Sequence, residues 1–171
     1  IGGATVYDGV VYFGASDYRV YALDATTGES VWDAPFATGH WVWGAPAVGE
    51  ERVYAGSMDH HVYAIDRQTG VEEWRQEVGG SVPGSVTLAD GLLFVGSVDK
   101  HLYALRASDG TDVWKRDMGH WVWGEALVHD GYVHICSLDG EVHALAVGDG
   151  SPRWEPFPVG GAVRAGPALL G

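Results

Sequence analysis

The chain has 171 residues, of which 46% are hydrophobic, 12% aromatic and 19% charged, so it is neither disordered nor fibrous. Its 23 acidic side chains outnumber 10 basic ones, and the formal net charge of -13 would repel a phosphate backbone, which excludes nucleic acid as an expected partner. No run of about 18 apolar residues occurs, so no membrane-spanning segment is predicted.

The numbers of glycine, tryptophan and cysteine residues indicate the fold class and exclude two kinds of cross-link. The chain holds 26 glycines and 8 tryptophans, which favours many turns around a few large packing residues and an all-β fold. Its single cysteine, Cys136, excludes an intrachain disulfide and a cysteine-based zinc site. The first residue is Ile1 rather than Met, and we expect a processed or trimmed piece of a longer protein.

The predicted elements begin with a β-hairpin. Residues 10–14 and 20–23 follow the period-two pattern of half-buried strands and are separated by a short turn. A second turn at residues 24–28 precedes a predicted strand that carries Trp32. A further short strand is predicted within residues 44–48, and no segment keeps the 3.6-residue apolar period of a helix.

The same unit recurs along the whole chain. Gly14 of the first strand returns as Gly56 and Gly96, at spacings of 42 and 40 residues, and Cys136 takes its place after 40 more. Two further sets keep these spacings, namely the tryptophans Trp32, Trp74, Trp114 and Trp154 and the turn residues Asp17, Asp59, Asp99 and Asp139. Four units therefore fill one domain over residues 1–171, at approximately 6–48, 49–89, 90–129 and 130–171.

Four short antiparallel strands in a unit of about 40 residues are typical of the blades of a β-propeller. Each blade packs on the next because neither can hide its apolar face alone. We assign the four recurrent tryptophans to docking between blades, and the recurrent aspartates to turns rather than to calcium binding. The predicted fold is an all-β propeller, with four four-stranded blades in this chain.

Two segments carry a family likeness: residues 22–32, which include Gly28 and Trp32, and residues 64–74, which include Gly70 and Trp74. Both match the docking motif Ala-x-Asp-x-x-Thr-Gly-x-x-x-Trp. The chain thus resembles the pyrroloquinoline-quinone-type propeller repeat of the quinoprotein alcohol dehydrogenase-like superfamily, and is closer to its non-catalytic, BamB-like members. The likeness covers essentially the whole chain, although the later copies carry Arg106 and Ala146 where the motif has Asp.

The resemblance implies a ring of eight blades, whereas this chain encodes four. We therefore expect a homo-oligomer, in which two chains complete one ring, or part of a longer propeller. Residues 3–6 and 166–170 both occupy the slot of an innermost strand, which leaves one such strand in surplus. That surplus predicts either a cut through a longer array or an exchange of strands between chains.

One string stands apart from the repeat. Gly-His-Trp-Val-Trp-Gly occurs at residues 39–44 and returns unchanged at residues 119–124. In a propeller this connection lies at the mouth of the central channel, where histidine tips and a tryptophan platform suit a peptide or a small ligand. The candidate ligand-binding residues are His40, Trp41, Trp43, His120, Trp121, Trp123 and Arg164. The alternative is packing between blades, retained after a duplication.

No metal site and no cofactor are predicted. Four histidines around a two-chain ring would lie too far apart for one ion, and the others match no metal-ligand spacing: His60, His61, His101, His129, His134 and His143. Quinoprotein relatives carry a vicinal cysteine pair and a calcium site, and a chain with only Cys136 cannot form that pair. Pyrroloquinoline quinone with calcium is therefore not expected, and the chain is predicted not to be an enzyme.

These patterns predict a non-catalytic propeller that serves as a scaffold or binding platform for a protein or a small ligand. Three alternatives stay open: a quinone-dependent dehydrogenase, an extracytoplasmic sensor domain of a kinase or envelope protein, and a purely structural repeat. We expect the chain in the cell envelope because the family that it resembles is often found there.

Overall fold

Four β-sheets make up the computed structural model, which describes residues 3–168. Each sheet has four antiparallel strands that pair in chain order, and residues 3–168 contain no helix. The predicted all-β fold with four four-stranded units is therefore confirmed. Within the described residues no helix has the length and the apolar character needed to cross a membrane.

The sixteen strands follow one another without any strand passing between sheets. The first sheet contains β1 (Ala4–Tyr7), β2 (Val10–Gly14), β3 (Arg19–Asp24) and β4 (Phe36–Ala37). The second contains β5 (Ala47–Val48), β6 (Arg52–Gly56), β7 (His61–Asp66) and β8 (Glu72–Glu77). The third contains β9 (Thr87–Ala89), β10 (Leu92–Gly96), β11 (His101–Arg106) and β12 (Asp112–Asp117). The fourth contains β13 (Leu127–His129), β14 (Tyr132–Cys136), β15 (Glu141–Ala146) and β16 (Phe157–Pro158).

The short innermost strand opens each sheet, whereas the sequence placed it at the end of each unit. Ala47–Val48 pairs with Arg52–Gly56 of the second sheet, and the turn between them is closed by a 2.9 Å bond from the Gly49 N–H to the Arg52 carbonyl oxygen. A short turn favours pairing between strands that are adjacent in the chain. Of the proposed surplus strand, residues 166–168 lie outside any strand and residues 169–170 lie outside the described part of the chain.

Proline shortens the outermost strand in the first and fourth sheets. Trp32 was predicted within such a strand, but β4 holds only two residues and begins after it, and Trp154 likewise precedes the two-residue β16. Pro35 and Pro156 directly precede these strands, and proline cannot donate a backbone hydrogen bond to a neighbouring strand. The matching strands of the two central sheets, β8 and β12, are six residues long and carry no proline.

The core lies between the sheets, in three clusters that each join one sheet to the next. At the first junction Tyr12, Val20 and Trp32 of the first sheet pack with Val53 and Ile65 of the second. The strand residues of each cluster come from two neighbouring sheets, so a sheet relies on its neighbour to bury its apolar face.

The docking turns keep their geometry where their sequence drifts. In the second unit the Gly70 N–H donates to the carbonyl oxygen of Asp66 at 2.9 Å. In the third unit Arg106 replaces that aspartate, yet the Gly110 N–H still donates to the Arg106 carbonyl oxygen at 2.8 Å. The turn depends on the backbone bond and on a glycine with φ near 75° rather than on the aspartate side chain.

Candidate functional site

Four connecting loops, at residues 39–46, 79–86, 119–126 and 160–167, follow the outermost strands and form one surface. Gly44 faces the backbone of Gly84, and a Cβ atom on Gly44 would lie 2.0 Å from the Gly84 carbonyl oxygen. Only glycine permits so close an approach of two backbones. We call this the loop surface, and all seven candidate ligand-binding residues lie on it.

The central valine of each of the first three loops anchors it to the core, where it is at most 1% exposed. Val42 packs against Gly14, on which a Cβ atom would lie 2.2 Å from Val42 Cγ1. Trp41 and Trp43, on either side of this valine, are only half-buried. The string therefore combines a packing valine with two tryptophans that keep accessible surface.

Backbone hydrogen bonds tie each of these loops to the following sheet. The Trp41 carbonyl oxygen accepts from the N–H of Met58 at 2.8 Å, and the Trp121 carbonyl oxygen accepts from the N–H of Leu138 at 2.9 Å. The packing contacts thus use the main chain and the valines, whereas the predicted ligand-binding groups are the indole rings. The main chain and the valines hold the loops in place, and the indole rings are not needed for these anchoring contacts.

Indole rings from two loops meet on the loop surface. Trp41 stacks on Trp43 with ring centroids 5.1 Å apart, and Trp43 lies 6.3 Å from Trp123 of the third loop. Pro83 holds the matching position of the second loop and Arg164 that of the fourth. Trp43, Pro83, Trp123 and Arg164 line one cavity of about 220 Å³. The structure thus brings together candidates that are up to 121 positions apart in the sequence, residues 43 to 164.

Trp121 is the most accessible of the four tryptophans. It is 44% exposed, whereas Trp41, Trp43 and Trp123 are half-buried. Its ring lies 5.9 Å from that of His120, which is also exposed. Together they form an exposed extension of the loop surface beside the cavity.

A backbone hydrogen bond fixes the ring orientation of each candidate histidine. Among residues 3–168, neither histidine lines the cavity. The N–H of Trp41 donates to Nδ1 of His40 at 2.8 Å, and the N–H of Trp121 donates to Nδ1 of His120 at 2.8 Å. An accepting Nδ1 leaves the proton of the neutral ring on Nε2. In this tautomer the remaining donor of each ring is Nε2–H.

Tyr18, Pro83 and Glu125 were not among the predicted site residues. The Tyr18 ring lies 5.2 Å from that of His40, and Glu125 lines the cavity. Pro83 follows Trp43 by 40 residues, so alignment of the units was the signal that could have identified it. Tyr18 lies in the first hairpin turn, with φ 69°. Its contact with His40 is visible only in the tertiary structure.

The recurrent aspartates serve the turns and the junctions. Asp59 Oδ1 accepts from the N–H of His61 at 3.0 Å, and Asp59 Oδ2 accepts from Gly39 N–H at 2.6 Å and Tyr63 Oη–H at 2.7 Å. Burial and the bond to Asp59 raise the pKa of Tyr63 above its ordinary value. Residues 3–168 contain no group of three or more His, Cys, Asp or Glu that could hold a metal ion.

Three of the remaining histidines, His61, His101 and His143, take structural positions. His61 and His101 each place Nδ1 3.0 Å from the carbonyl oxygen of the aspartate two residues earlier. His143 is 6% exposed, and burial lowers the pKa of its ring despite the nearby Glu141 carboxylate. Burial also raises the pKa of the Cys136 thiol, so this cysteine is a core residue rather than a nucleophile.

A tryptophan docks each sheet onto the next in three places. Trp32 Nε1–H donates to the carbonyl oxygen of Arg67 at 3.0 Å, and its ring covers Gly70, where a Cβ atom would lie 2.7 Å from Trp32 Cγ. Trp74 and Trp114 repeat both contacts with the third and fourth sheets, with Nε1–O distances of 3.3 and 2.8 Å. Trp154 has no such partner among residues 3–168 and is 37% exposed.

Four-stranded sheets docked in series through a tryptophan and a glycine define a β-propeller built from pyrroloquinoline-quinone-type repeats. The family model described as "Outer membrane protein assembly factor BamB" matches residues 16–161. The chain belongs to this family, and the resemblance inferred from the docking motif is confirmed.

Solved structures show the same fold. BamB from Moraxella catarrhalis matches with a TM-score of 0.79 at 20% identity, over 92% of this chain and 48% of that chain. The computationally designed Ika8 protein matches with a TM-score of 0.77 at 19% identity, over 87% of this chain and 46% of that chain. This chain therefore spans about half the length of both structures. No curated protein sequence matches it.

Proposed function

We propose that the chain is a non-catalytic scaffold of the cell envelope that binds a protein segment on the loop surface, at the mouth of a propeller channel. The observation that carries the proposal is the pair of indole rings, Trp43 and Trp123, that meet 6.3 Å apart from two loops beside the exposed Trp121. Accessible tryptophans are enriched where proteins bind one another. The description of the family as an outer membrane protein assembly factor supports both the location and a protein partner.

The chemistry of the surface favours an extended peptide with apolar or aromatic side chains. The tryptophans supply stacking area, and the Nε2–H groups of His40 and His120 supply hydrogen-bond donors for peptide carbonyl oxygens. The net charge of -13 disfavours an acidic peptide and favours a neutral or basic one. A native assembly that is a homo-oligomer or a longer propeller would surround this surface with further loops.

A quinone cofactor does not fit the residues present. The relatives that bind pyrroloquinoline quinone carry a vicinal cysteine pair and a Glu/Asn/Asp calcium site, whereas this chain has one buried cysteine and no asparagine. We therefore propose a protein without this cofactor. Added quinone with calcium should produce neither a bound chromophore nor dye-linked alcohol oxidation.

Peptide titration followed by intrinsic fluorescence tests the binding proposal. The probes are two basic ten-residue peptides, one alternating Phe and Thr around a central Lys, the other with each Phe replaced by Ser. Binding of the first peptide alone is expected. Trp121→Ala should raise its Kd by about tenfold or more, since binding hot spots contribute at least about 1–2 kcal/mol.

Val113→Ala is the matched control, because Val113 is 37% exposed on β12 and lies outside the loop surface. Its Kd should stay at the wild-type value. Absence of binding by both peptides, or an equal loss of affinity in both variants, would refute the loop surface as a peptide site. Binding of a small aromatic amide but of neither peptide would replace the protein partner with a small ligand.

A further inference from the structure

The outward face of the fourth sheet is apolar and accessible. Trp154 is 37% exposed, Phe157 62% and Val159 47%, and these three line a cavity of about 590 Å³ with Val142. The matching residues of the first sheet, Trp32 and Phe36, are 2% and 9% exposed because the second sheet covers them. We call the apolar side of the fourth sheet the docking face.

The first sheet carries the opposite half of the same contact. Val11, Phe13, Tyr21 and Leu23 on β2 and β3 are all partly exposed. The residues that match them in the second sheet are buried at 0, 0, 4 and 0% exposure against the first sheet, in the order Val53, Ala55, Tyr63 and Ile65. We call the apolar side of the first sheet the receiving face.

The two faces also carry the groups that form the docking contacts between neighbouring sheets. These contacts are the tryptophan ring over a turn glycine and the indole N–H bond to a backbone carbonyl oxygen. Gly28 matches Gly70, has φ 73°, and has no atom within 4 Å of the position that a Cβ atom would take. Ala25 matches Arg67, whose carbonyl oxygen accepts the Trp32 indole N–H. A tryptophan ring placed over Gly28 would therefore find both the open glycine and the carbonyl acceptor that a docking tryptophan uses.

A second loop-to-turn contact shows the same complementarity. At the first junction the Gly39 N–H donates to Asp59 Oδ2 at 2.6 Å. Gly160 of the fourth loop matches Gly39 and has no atom within 4 Å of its Cβ position, and Asp17 of the first sheet matches Asp59 and is exposed. The docking face thus carries the tryptophan and the loop glycine, and the receiving face carries the turn glycine and the aspartate that pair with them at the other junctions.

We propose that the docking face of one chain packs against the receiving face of a second copy of this chain, so that two copies close a ring of eight sheets. This deepens the assembly proposed above but does not depend on peptide binding. A second copy is favoured over an unrelated partner because its first sheet presents the glycine, the carbonyl and the aspartate in the register that Trp154 and Gly160 require. The two solved structures described above are each about twice as long as this chain, which is close to the length of two copies.

The alternation of loops would continue across the new junction. The first and third loops carry His-Trp-Val-Trp and the second and fourth do not, so a fourth unit followed by a first unit preserves the order found inside the chain. In a two-fold ring each chain uses its docking face once and its receiving face once, which closes the assembly without leaving an apolar sheet face exposed.

Solution mass tests the proposal directly. The 171-residue chain should give twice the 18.3 kDa of one chain by multi-angle light scattering, with no growth beyond two copies as concentration rises. A mass of one chain up to millimolar concentration overturns the proposal. Masses that grow past two copies overturn the closed ring and indicate an open, head-to-tail array.

Two face variants and their mixture identify the junction. Trp154→Asp damages only the docking face and Phe13→Asp only the receiving face, so each alone should be monomeric, with the dissociation constant raised about 30-fold or more. Mixed in equal amounts they should regain the mass of two chains. One of the two junctions then pairs the intact docking face of one variant with the intact receiving face of the other.

Val113→Asp is the control, since Val113 is 37% exposed like Trp154 but lies on the third sheet. It should keep the wild-type mass. Near-ultraviolet circular dichroism of each variant confirms that the sheets remain folded. A mixture that stays monomeric although both variants are folded, or a control that dissociates as readily as Trp154→Asp, overturns the assigned junction.

Discussion

Trp32 and Trp154 have similar neighbours in the chain and different surroundings in the structure. Each is followed by a proline and then by a phenylalanine that begins a two-residue outermost strand. Trp32 is nevertheless 2% exposed and Trp154 37%. The difference comes from the following sheet, which covers Trp32 and has no counterpart beside Trp154 within residues 3–168. Burial of a docking residue is thus decided across the junction and not by its own strand.

The largest expected effect comes from removing the covered tryptophan. Trp32→Ala should lower the free energy of unfolding by about 3–5 kcal/mol, because it leaves a cavity and an unpaired Arg67 carbonyl oxygen. Trp154→Ala should cost roughly 1 kcal/mol. Urea unfolding followed by fluorescence, at a concentration where the chain is a single copy, measures both. Equal losses of unfolding free energy in Trp32→Ala and Trp154→Ala would contradict this comparison. The burial of each tryptophan would then not determine how much it contributes to stability.

A pair of glycines separates packing from backbone strain. Gly28 and Gly70 have φ of 73° and 74°, so alanine at either position costs about 1–2 kcal/mol of strain. Only at Gly70 would the new Cβ atom also strike a docking tryptophan, 2.7 Å from Trp32 Cγ, which adds about 1–3 kcal/mol. Gly70→Ala should therefore be the less stable variant in chemical unfolding. An equal loss of stability in Gly28→Ala and Gly70→Ala would contradict this expectation. It would mean that the junction between the first and second sheets accommodates the added methyl group without cost.

The smallest effect concerns pH and the junction between the third and fourth sheets. His143 takes the position of Tyr63 and Tyr103, and burial lowers the pKa of its ring below the ordinary value of 6.5. The unfolded chain therefore binds a proton more readily than the folded one. The stability contributed by the neutral ring is full above about pH 6.5 and falls as the pH drops toward the lower folded-state pKa.

His143→Tyr should remove this loss, so that its Tm stays level from pH 7 to pH 5 while that of the wild type declines. Differential scanning calorimetry measures both profiles. Below about pH 4 both proteins should lose stability alike, because hydrogen bonds in the turns hold the pKa of Asp66 and Asp109 below the usual range. A wild-type Tm that does not change between pH 7 and pH 5 would contradict the role given to His143.

The repeat in the sequence was enough to predict the sheets, because each unit marks its strands and turns locally. Gly70 and Gly110 stand where the backbone needs a positive φ, and Trp74 and Trp114 follow them at a constant distance along the chain. The sequence did not show which sheet takes the short strand at Ala47–Val48, since that choice depends on pairing with its chain neighbour.

The loop surface was only partly predictable from the sequence. The repeated Gly-His-Trp-Val-Trp-Gly string marked the right residues, but not that Val42 would be buried while Trp41 and Trp43 stayed accessible. It also could not show that Trp43 would meet Trp123 across the loop of Pro83. Such contacts join residues of different units, and their distances depend on how closely the sheets pack.

By itself, then, the sequence determined an all-β chain of four similar units, its docking tryptophans and turn glycines, and its family. These features follow from local periodicity and from backbone angles that few residues adopt. Only the tertiary structure decided that three docking tryptophans meet a following sheet while Trp154 meets none within the described residues 3–168, and that the rings of alternate loops form one surface. The reason is physical: burial and ring contact belong to pairs of sheets, and no single unit of the repeat contains both members of a pair.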